Sequence, residues 1–395
     1  MLPLYVPLIV SALLAVFGFM IASRRAVSVS GGDARTLSSL PRQYGLNTAL
    51  SVIIPTSVAV LIGLMVSSLG NLLPWIVLAV AIFGFAYSIA RITPEFRARR
   101  YAEAWIKLVL IAASAVAILT TIGIVLSMLF ETRHFFAQYD WKAFFFSTEW
   151  SPNFRGNSAL GIIPLLWGTF YISLIALAFA VPIGLFAAIY LSEYASRRMR
   201  SVAKPAIEIL AGIPTIVYGL FALITVGPFL RDHFSQPMGF GDSASSVMTA
   251  GLVMGVMLIP FVSSLSDDII NAVPQAMRDG SLGLGATKSE TIRQVVIPAA
   301  LPGIVGAILL AASRAIGETM IVVLGAGAAA RMSMNPFEAM TTVTVKIVSQ
   351  LTGDTDFASP ETLVAFALGL TLFAITLMLN VLALYIVRKY REQYE

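Results

Sequence analysis

About nine stretches of this chain are each apolar over roughly 20 residues, the length an α-helix needs to cross the hydrocarbon of a bilayer. They lie near 3–22, 47–69, 72–92, 105–130, 160–192, 205–230, 246–266, 299–324 and 362–387. This pattern predicts an all-α, polytopic transmembrane bundle. The second and third stretches are parted only by the short uncharged Gly70–Pro74 segment. Composition agrees: 58% of residues are hydrophobic and 12% charged, with a mean hydropathy of +0.86. A soluble domain carries roughly a quarter charged residues, so a water-soluble fold is excluded.

Charge placement predicts orientation. Arg24 and Arg25 follow the first stretch and nothing basic precedes it, which argues against a cleaved signal peptide. By the positive-inside rule the N-terminus is periplasmic and the loop at 23–46 cytoplasmic. Arg91, Arg97, Arg99, Arg100 and Lys107 then fall on the cytoplasmic side. So do Arg197, Arg198, Arg200 and Lys204, and finally Arg388, Lys389 and Arg391, which places the C-terminus in the cytoplasm. The loops at 131–159, 231–245 and 325–361 fall outside. The aromatics Trp141, Trp150, Tyr194 and Tyr390 fit interfacial belts.

Several chemistries are excluded. Without cysteine there is no thiolate site or disulfide. The two histidines, His134 and His233, are too far apart in sequence to suggest a metal site, and none is expected. The net charge of +5 comes as short clusters beside apolar stretches, with no basic stripe interleaved with aromatics, so no nucleic-acid partner is expected. No catalytic Ser-His-Asp set or paired intramembrane aspartates appear, and the chain is read as a transport subunit, not an enzyme.

The basic segment Arg97–Arg100 divides the chain into a three-span N-terminal extension, 1–100, and a six-span core, 101–395. No internal repeat of the secondary-carrier kind is visible. Within the core, the polar loop 274–298 is the most specific feature. Proline brackets it at Pro274 and Pro298, and two short helices are predicted, at 276–284 and 289–296, about a turn at Gly285. Gly285-Ala-Thr-Lys288-Ser289 mimics a phosphate loop, but Thr287 stands where that loop needs glycine, and no buried strand precedes it. The chain therefore carries no nucleotide cofactor of its own.

Two charges interrupt the eighth stretch. Arg314 and Glu318 are four residues apart, which predicts one helical face and a pair. Intramembrane arginine costs about 2.5–3.5 kcal/mol on insertion scales and marks a bundle interior or aqueous path. Its planar fork suits an oxyanion such as phosphate. Two readings stand, a structural ion pair and a transient anion site. Gly212-Ile213-Pro214 predicts a break or hinge in the sixth stretch. Glu208 reads equally as a solvated carboxylate or a coupling group, and Asp267 and Asp268 read as interfacial.

The loop resembles the EAA loop of ABC importer permeases. Asp279-Gly280-Ser281 stands for the usual acidic-small-small triplet, Gly285-Ala286-Thr287 follows, and Val295-x-Ile297-Pro298 closes it. Four further segments resemble the permeases of the phosphate-specific (Pst) importer over about 104–390. They are Phe146-Ser-Thr-Glu-Trp150-Ser-Pro152; Val181-Pro-Ile-Gly184 with Tyr190-Leu-Ser-Glu193; Ile207-Glu208-Ile-Leu-Ala-Gly212-Ile-Pro214-Thr-Ile-Val-Tyr218-Gly219; and Arg314-Ala-Ile-Gly-Glu318-Thr-Met320. The pattern is similar to the PstC kind more than to PstA.

The resemblance implies a type I-like, MetI-like permease core in a bacterial inner membrane. It implies a PstA-like second permease, two ATP-binding subunits that hold ATP and Mg, and a periplasmic phosphate-binding protein. It also implies that Asp279, Gly285, Ala286, Thr287 and Pro298 couple to the ATPase, and that Arg314 and Glu318 lie on the substrate path. A permease for sulfate or molybdate, or an ion-coupled secondary carrier, are the competing readings.

Overall fold

A computed structural model describes residues 3–66, 72–153, 158–353 and 358–391. Part of the Gly70–Pro74 segment and the side chains of Tyr390 and Arg391 lie outside the described residues. Nine helices are long and apolar enough to cross a membrane among the described residues, as the hydropathy pattern predicts. The chain forms two compact units, Met1–Gly123 and Ile124–Glu395, with the boundary inside one long helix.

The N-terminal unit is built from α1 (Tyr5–Val29), α2 (Pro41–Met65), α3 (Leu73–Ala90) and the start of α4 (Ala98–Gln138). Small residues of α1 face inward: Ala15, Ala22 and Ala26 are buried against α2 and α3. Lipid gives helices no hydrophobic reason to associate, so close packing of small residues does that work. At one end Tyr44 donates from its hydroxyl to the Phe96 carbonyl at 2.8 Å, tying α2 to the segment before α4.

The second unit begins with the remainder of α4. A short helix α5 (Trp141–Phe146) and a two-stranded ribbon, β1 (Trp150–Ser151) with β2 (Ala159–Leu160), follow. Trp150 is buried in the cluster formed by Phe135, Phe144 and Leu165, so it is a core residue and not an interfacial anchor. Then come α6 (Ile163–Ile189), α7 (Arg197–Ala211), α8 (Thr215–Phe221), α9 (Gly227–Leu230) and α10 (Val247–Ala272). The loop helices α11 (Gln275–Gly283) and α12 (Lys288–Thr291) lead to α13 (Ile297–Ile316), α14 (Met320–Gly325), α15 (Val343–Gly353) and α16 (Pro360–Arg391).

The core of this unit is α10 against α6. Ala176, Ala180, Ala250, Met254 and Leu258 are fully buried there. α10 is buried along most of its length, whereas burial in α16 is concentrated in its first turns, at Leu363, Val364, Ala367 and Leu368, so α10 is the central helix.

Two span boundaries differ from expectation. The apolar stretch at 205–230 is two elements: α7 is an amphipathic helix with no buried residue, and the crossing helix is Thr215–Ser235. Pro298 does not stop a helix, because Lys288–Ile316 runs on through it. A wider turn at Ile292–Val296, closed by the Ile297 amide on the Ile292 carbonyl, precedes that proline. The same device, with the Gly227 amide on the Ala222 carbonyl, precedes Pro228. Proline clashes with the carbonyl one turn back and lacks a donor, and a wider turn relieves both constraints.

Candidate translocation and coupling sites

The helix carrying Arg314 ends two residues later. Gly317 caps α13, and Glu318 lies outside any helix. Its carboxylate Oε1 accepts from the amides of Thr319 at 3.1 Å and Met320 at 3.1 Å, at the start of α14. Free amides at a helix start satisfy an acidic side chain in this way. The Glu318 carbonyl accepts from Thr344 Oγ1 at 2.9 Å, which fixes the break to the start of α15.

The expected pair is therefore absent. Arg314 forms no ion pair with Glu318 among the described residues. The four-residue rule requires a continuous helix, and this one breaks at Gly317. Arg314 is exposed, its guanidinium 5.8 Å from the ring centroid of Phe261 on α10. An unpaired arginine beside an aromatic face retains its whole donor fork for an anion.

The predicted break at Gly212 and Pro214 is present. Gly212 caps α7, and Pro214 stands immediately before α8. Tyr218 reaches back across the break, its hydroxyl donating to the Leu210 carbonyl at 2.8 Å. The helices that leave the two breaks, α8 and α14, pack on each other. At their contact a Cβ on Gly219 would lie 2.8 Å from the Met320 carbonyl, so only glycine allows this approach.

The polar loop forms the two predicted helices. Gly285 has φ of +89°, the left-handed conformation that glycine alone adopts freely. Thr287 and Glu290 make a capping box at the start of α12: Glu290 N donates to Thr287 Oγ1 at 3.3 Å, and Thr287 N donates to Glu290 Oε2 at 2.8 Å. Ser281 and Thr291 hydroxyls join α11 to α12 at 2.9 Å. Asp279 is exposed and accepts from Gln275 Nε2 at 3.0 Å. Ala286 is half-buried, its amide donating to the Ser281 carbonyl at 3.2 Å, and Pro298 is exposed in the following helix. α11 carries no buried residue, and Leu284 is 92% exposed at its end.

Sequence reasoning missed what holds this loop in place. Arg278 donates to the carbonyls of Ile270 and Val273 at the end of α10, and to Glu193 Oε1 at 3.0 Å. Both ionic side chains are nearly buried, at 13% and 11% exposure. Arginine at a helix C-terminus also meets the negative end of its dipole.

A second network was also missed. Asp267, read as interfacial, is 1% exposed. It accepts from Arg200 Nη2 at 3.0 and 2.9 Å, from Lys204 Nζ at 2.8 Å and from Asn271 Nδ2 at 2.9 Å. The α7 helix is thereby clipped to α10. Hydrogen bonding to Asp267 raises the Lys204 pKa above the ordinary lysine range. Asp268 is exposed, and Glu208 is an exposed residue of α7. The one sequence signal was the i,i+4 spacing of Arg200 and Lys204 ahead of a distant aspartate.

Nine candidate crossings among the described residues, with broken helices and a folded polar loop between two of them, make a polytopic membrane protein. Residues 180–392 match the family described as the binding-protein-dependent transport system inner membrane component. Residues 8–70 match one described as a phosphate ATP-binding cassette transporter. The phosphate transport system permease protein PstC of Xylella fastidiosa is 33% identical over 319 residues, 75% of this chain and 96% of its own. Phosphate transport system permease protein PstC 1 of Mycobacterium tuberculosis is 36% identical over 278 residues, 62% of this chain and 81% of its own. In a crystal structure of a bacterial alginate ABC transporter bound to its pentasaccharide-loaded periplasmic protein, one chain superposes with a TM-score of 0.50 at 15% identity. That match covers 74% of this chain and 98% of the other, and it bears on the fold alone. The chain belongs to the binding-protein-dependent transport system inner membrane component family, as a multi-pass membrane transport subunit.

Proposed function

We propose that this chain is the PstC-like permease of an ATP-driven phosphate importer. The observation that carries the reading is the kinship of most of its length to phosphate permeases, with a second family match of phosphate-transporter description over 8–70. The chain builds the path together with a PstA-like permease, and a periplasmic phosphate-binding protein delivers the anion. Two ATP-binding subunits hold MgATP and dock on the 274–298 loop. The exposed Leu282 and Leu284 give that loop an apolar contact outside the apolar spans, the kind of surface a protein partner covers. The N-terminus is periplasmic and the C-terminus cytoplasmic, following the arginine distribution.

In this reading Arg314 is the anion contact. Its guanidinium is free to donate two parallel hydrogen bonds to a phosphate oxyanion. Glu318 shapes the break and so positions the turn that follows Arg314. The two adjoining breaks, at Gly212–Pro214 and at Gly317–Glu318, leave short half-helices that shift as units when the ATPases close. The coupling loop transmits the motion: Arg278 ties it to Glu193 in the turn after α6 and to the end of α10, so displacement of α11 pulls on the central helix.

The test is uptake of radiolabelled phosphate by the assembled importer in proteoliposomes, with sulfate and molybdate as competitors. ATP-dependent phosphate uptake that neither competitor suppresses supports the assignment. Suppression by sulfate or molybdate at equal concentration, or uptake that follows an ion gradient without ATP, overturns it.

A further inference from the structure

The N-terminal unit holds a cleft that neither the helix breaks nor the coupling loop uses. Its volume is about 830 Å³, and α2, α3 and the start of α4 line it. Its character changes along its length. Arg91, Tyr87 and Tyr101 stand at one end, and Val80, Phe83 and Leu108 form an apolar wall. Between them Asn47, Ser51 and Ser88 give a polar patch.

The cation at the polar end is unanswered. The Arg91 guanidinium lies 5.0 Å from the Tyr87 ring centroid and 5.9 Å from that of Tyr101. It has no ion-pair partner among the described residues. The two rings hold it in place while its donors stay free. Asn47 is 6% exposed, and its Nδ2 donates to Ser88 Oγ at 3.4 Å. Its Oδ1 is buried with no donor among the described residues. That atom has no surface open to the cleft, so Arg91 is the group left to answer a ligand.

We propose that this cleft binds one anionic phospholipid of the phosphatidylglycerol class. The phosphate takes the Arg91 fork, and the acyl chains lie along Val80, Phe83 and Leu108. Basic pockets between membrane helices are suited to such headgroups. A choline or ethanolamine lipid carries its own cation beside the phosphate and has no net charge to offer Arg91. A helix from a partner protein fits the apolar wall and leaves Arg91 unanswered.

The experiment uses the full chain, purified in detergent, stripped of lipid and offered phosphatidylglycerol, phosphatidylcholine or phosphatidylethanolamine at equal concentration before native mass spectrometry. One phosphatidylglycerol is retained about tenfold more than phosphatidylcholine, the ratio that a charge-assisted hydrogen bond supplies. Arg91→Gln removes the preference, while Ala79→Phe, which fills the cleft, lowers retention of all three lipids. Inorganic phosphate does not displace the lipid. Equal retention of glycerol and choline lipids, unchanged preference in Arg91→Gln, displacement by phosphate, or a protein helix cross-linked into the cleft overturns the proposal. If Arg91→Gln elutes as aggregate, the Ala79→Phe variant and the wild-type lipid ratio decide.

Discussion

Arg314 and Asp267 are both charges within apolar stretches, and they end in opposite states. Asp267 is sealed and accepts from Arg200, Lys204 and Asn271. Arg314 is open, beside a phenyl ring, and the carboxylate four residues on is turned away to cap a helix. A charge whose partners are all within its own chain contributes to architecture. A charge left with free donors is available to something that comes and goes. Sequence left Arg314 open between an ion pair with Glu318 and an anion site, and read Asp267 as interfacial.

The comparison can be broken first at the sealed charge. Asp267→Asn leaves two cations without their counter-charge. Removing one partner of a buried pair costs about 3–5 kcal/mol, and because Arg200 and Lys204 remain about a third exposed the loss here is about 2–3 kcal/mol. Thermal unfolding of the detergent-solubilised chain reads it as a lowered midpoint. Lys204 adds a pH dependence. Its folded pKa is raised, so its contribution is whole at neutral pH and below, and is lost as pH rises through that raised value. Stability of the wild type then falls at strongly alkaline pH, and Lys204→Met shows a smaller fall. An Asp267→Asn variant as stable as the wild type would make the clip between α7 and α10 incidental.

The next effect belongs to the loop. Gly285→Val forces a β-branched residue to φ of +89°, a cost of about 1–3 kcal/mol. Nothing lies within 4 Å of a Cβ there, so the strain is local and the span bundle still folds. Co-purification of the ATP-binding subunits is expected to drop, and retained stoichiometric co-purification counts against the docking role. Glu318→Gln is smaller still. The amide oxygen still accepts from the Thr319 and Met320 amides, and the loss of the charge costs about 0.5–1 kcal/mol. A much larger loss points to an ionic partner for Glu318.

How much of this was legible follows from the physics of each signal. The nine crossings were legible because 20 apolar residues have few other uses. The turn at Gly285 and the break at Gly212–Pro214 were legible because glycine and proline act locally. The boundary inside 205–230 was not, because Pro205-Ala-Ile-Glu-Ile-Leu-Ala continues the apolar stretch while the helix it forms is amphipathic. The break at Gly317 was hidden for a similar reason: glycine in an apolar stretch reads as packing, and a glutamate cap is one of many uses for an acid. Arg278 was invisible because its partners, two backbone carbonyls and Glu193, lie on other elements.

The open charge is the central claim, and one variant tests it on two axes. Arg314→Ala removes an exposed side chain, so its thermal midpoint should stay within about 0.5 kcal/mol of the wild type. Its ATP-dependent phosphate uptake, measured in proteoliposomes with the complete importer, should fall by roughly 10- to 100-fold, the worth of about 1.5–3 kcal/mol in charged hydrogen bonding. Wild-type uptake by a stable Arg314→Ala importer would contradict the account.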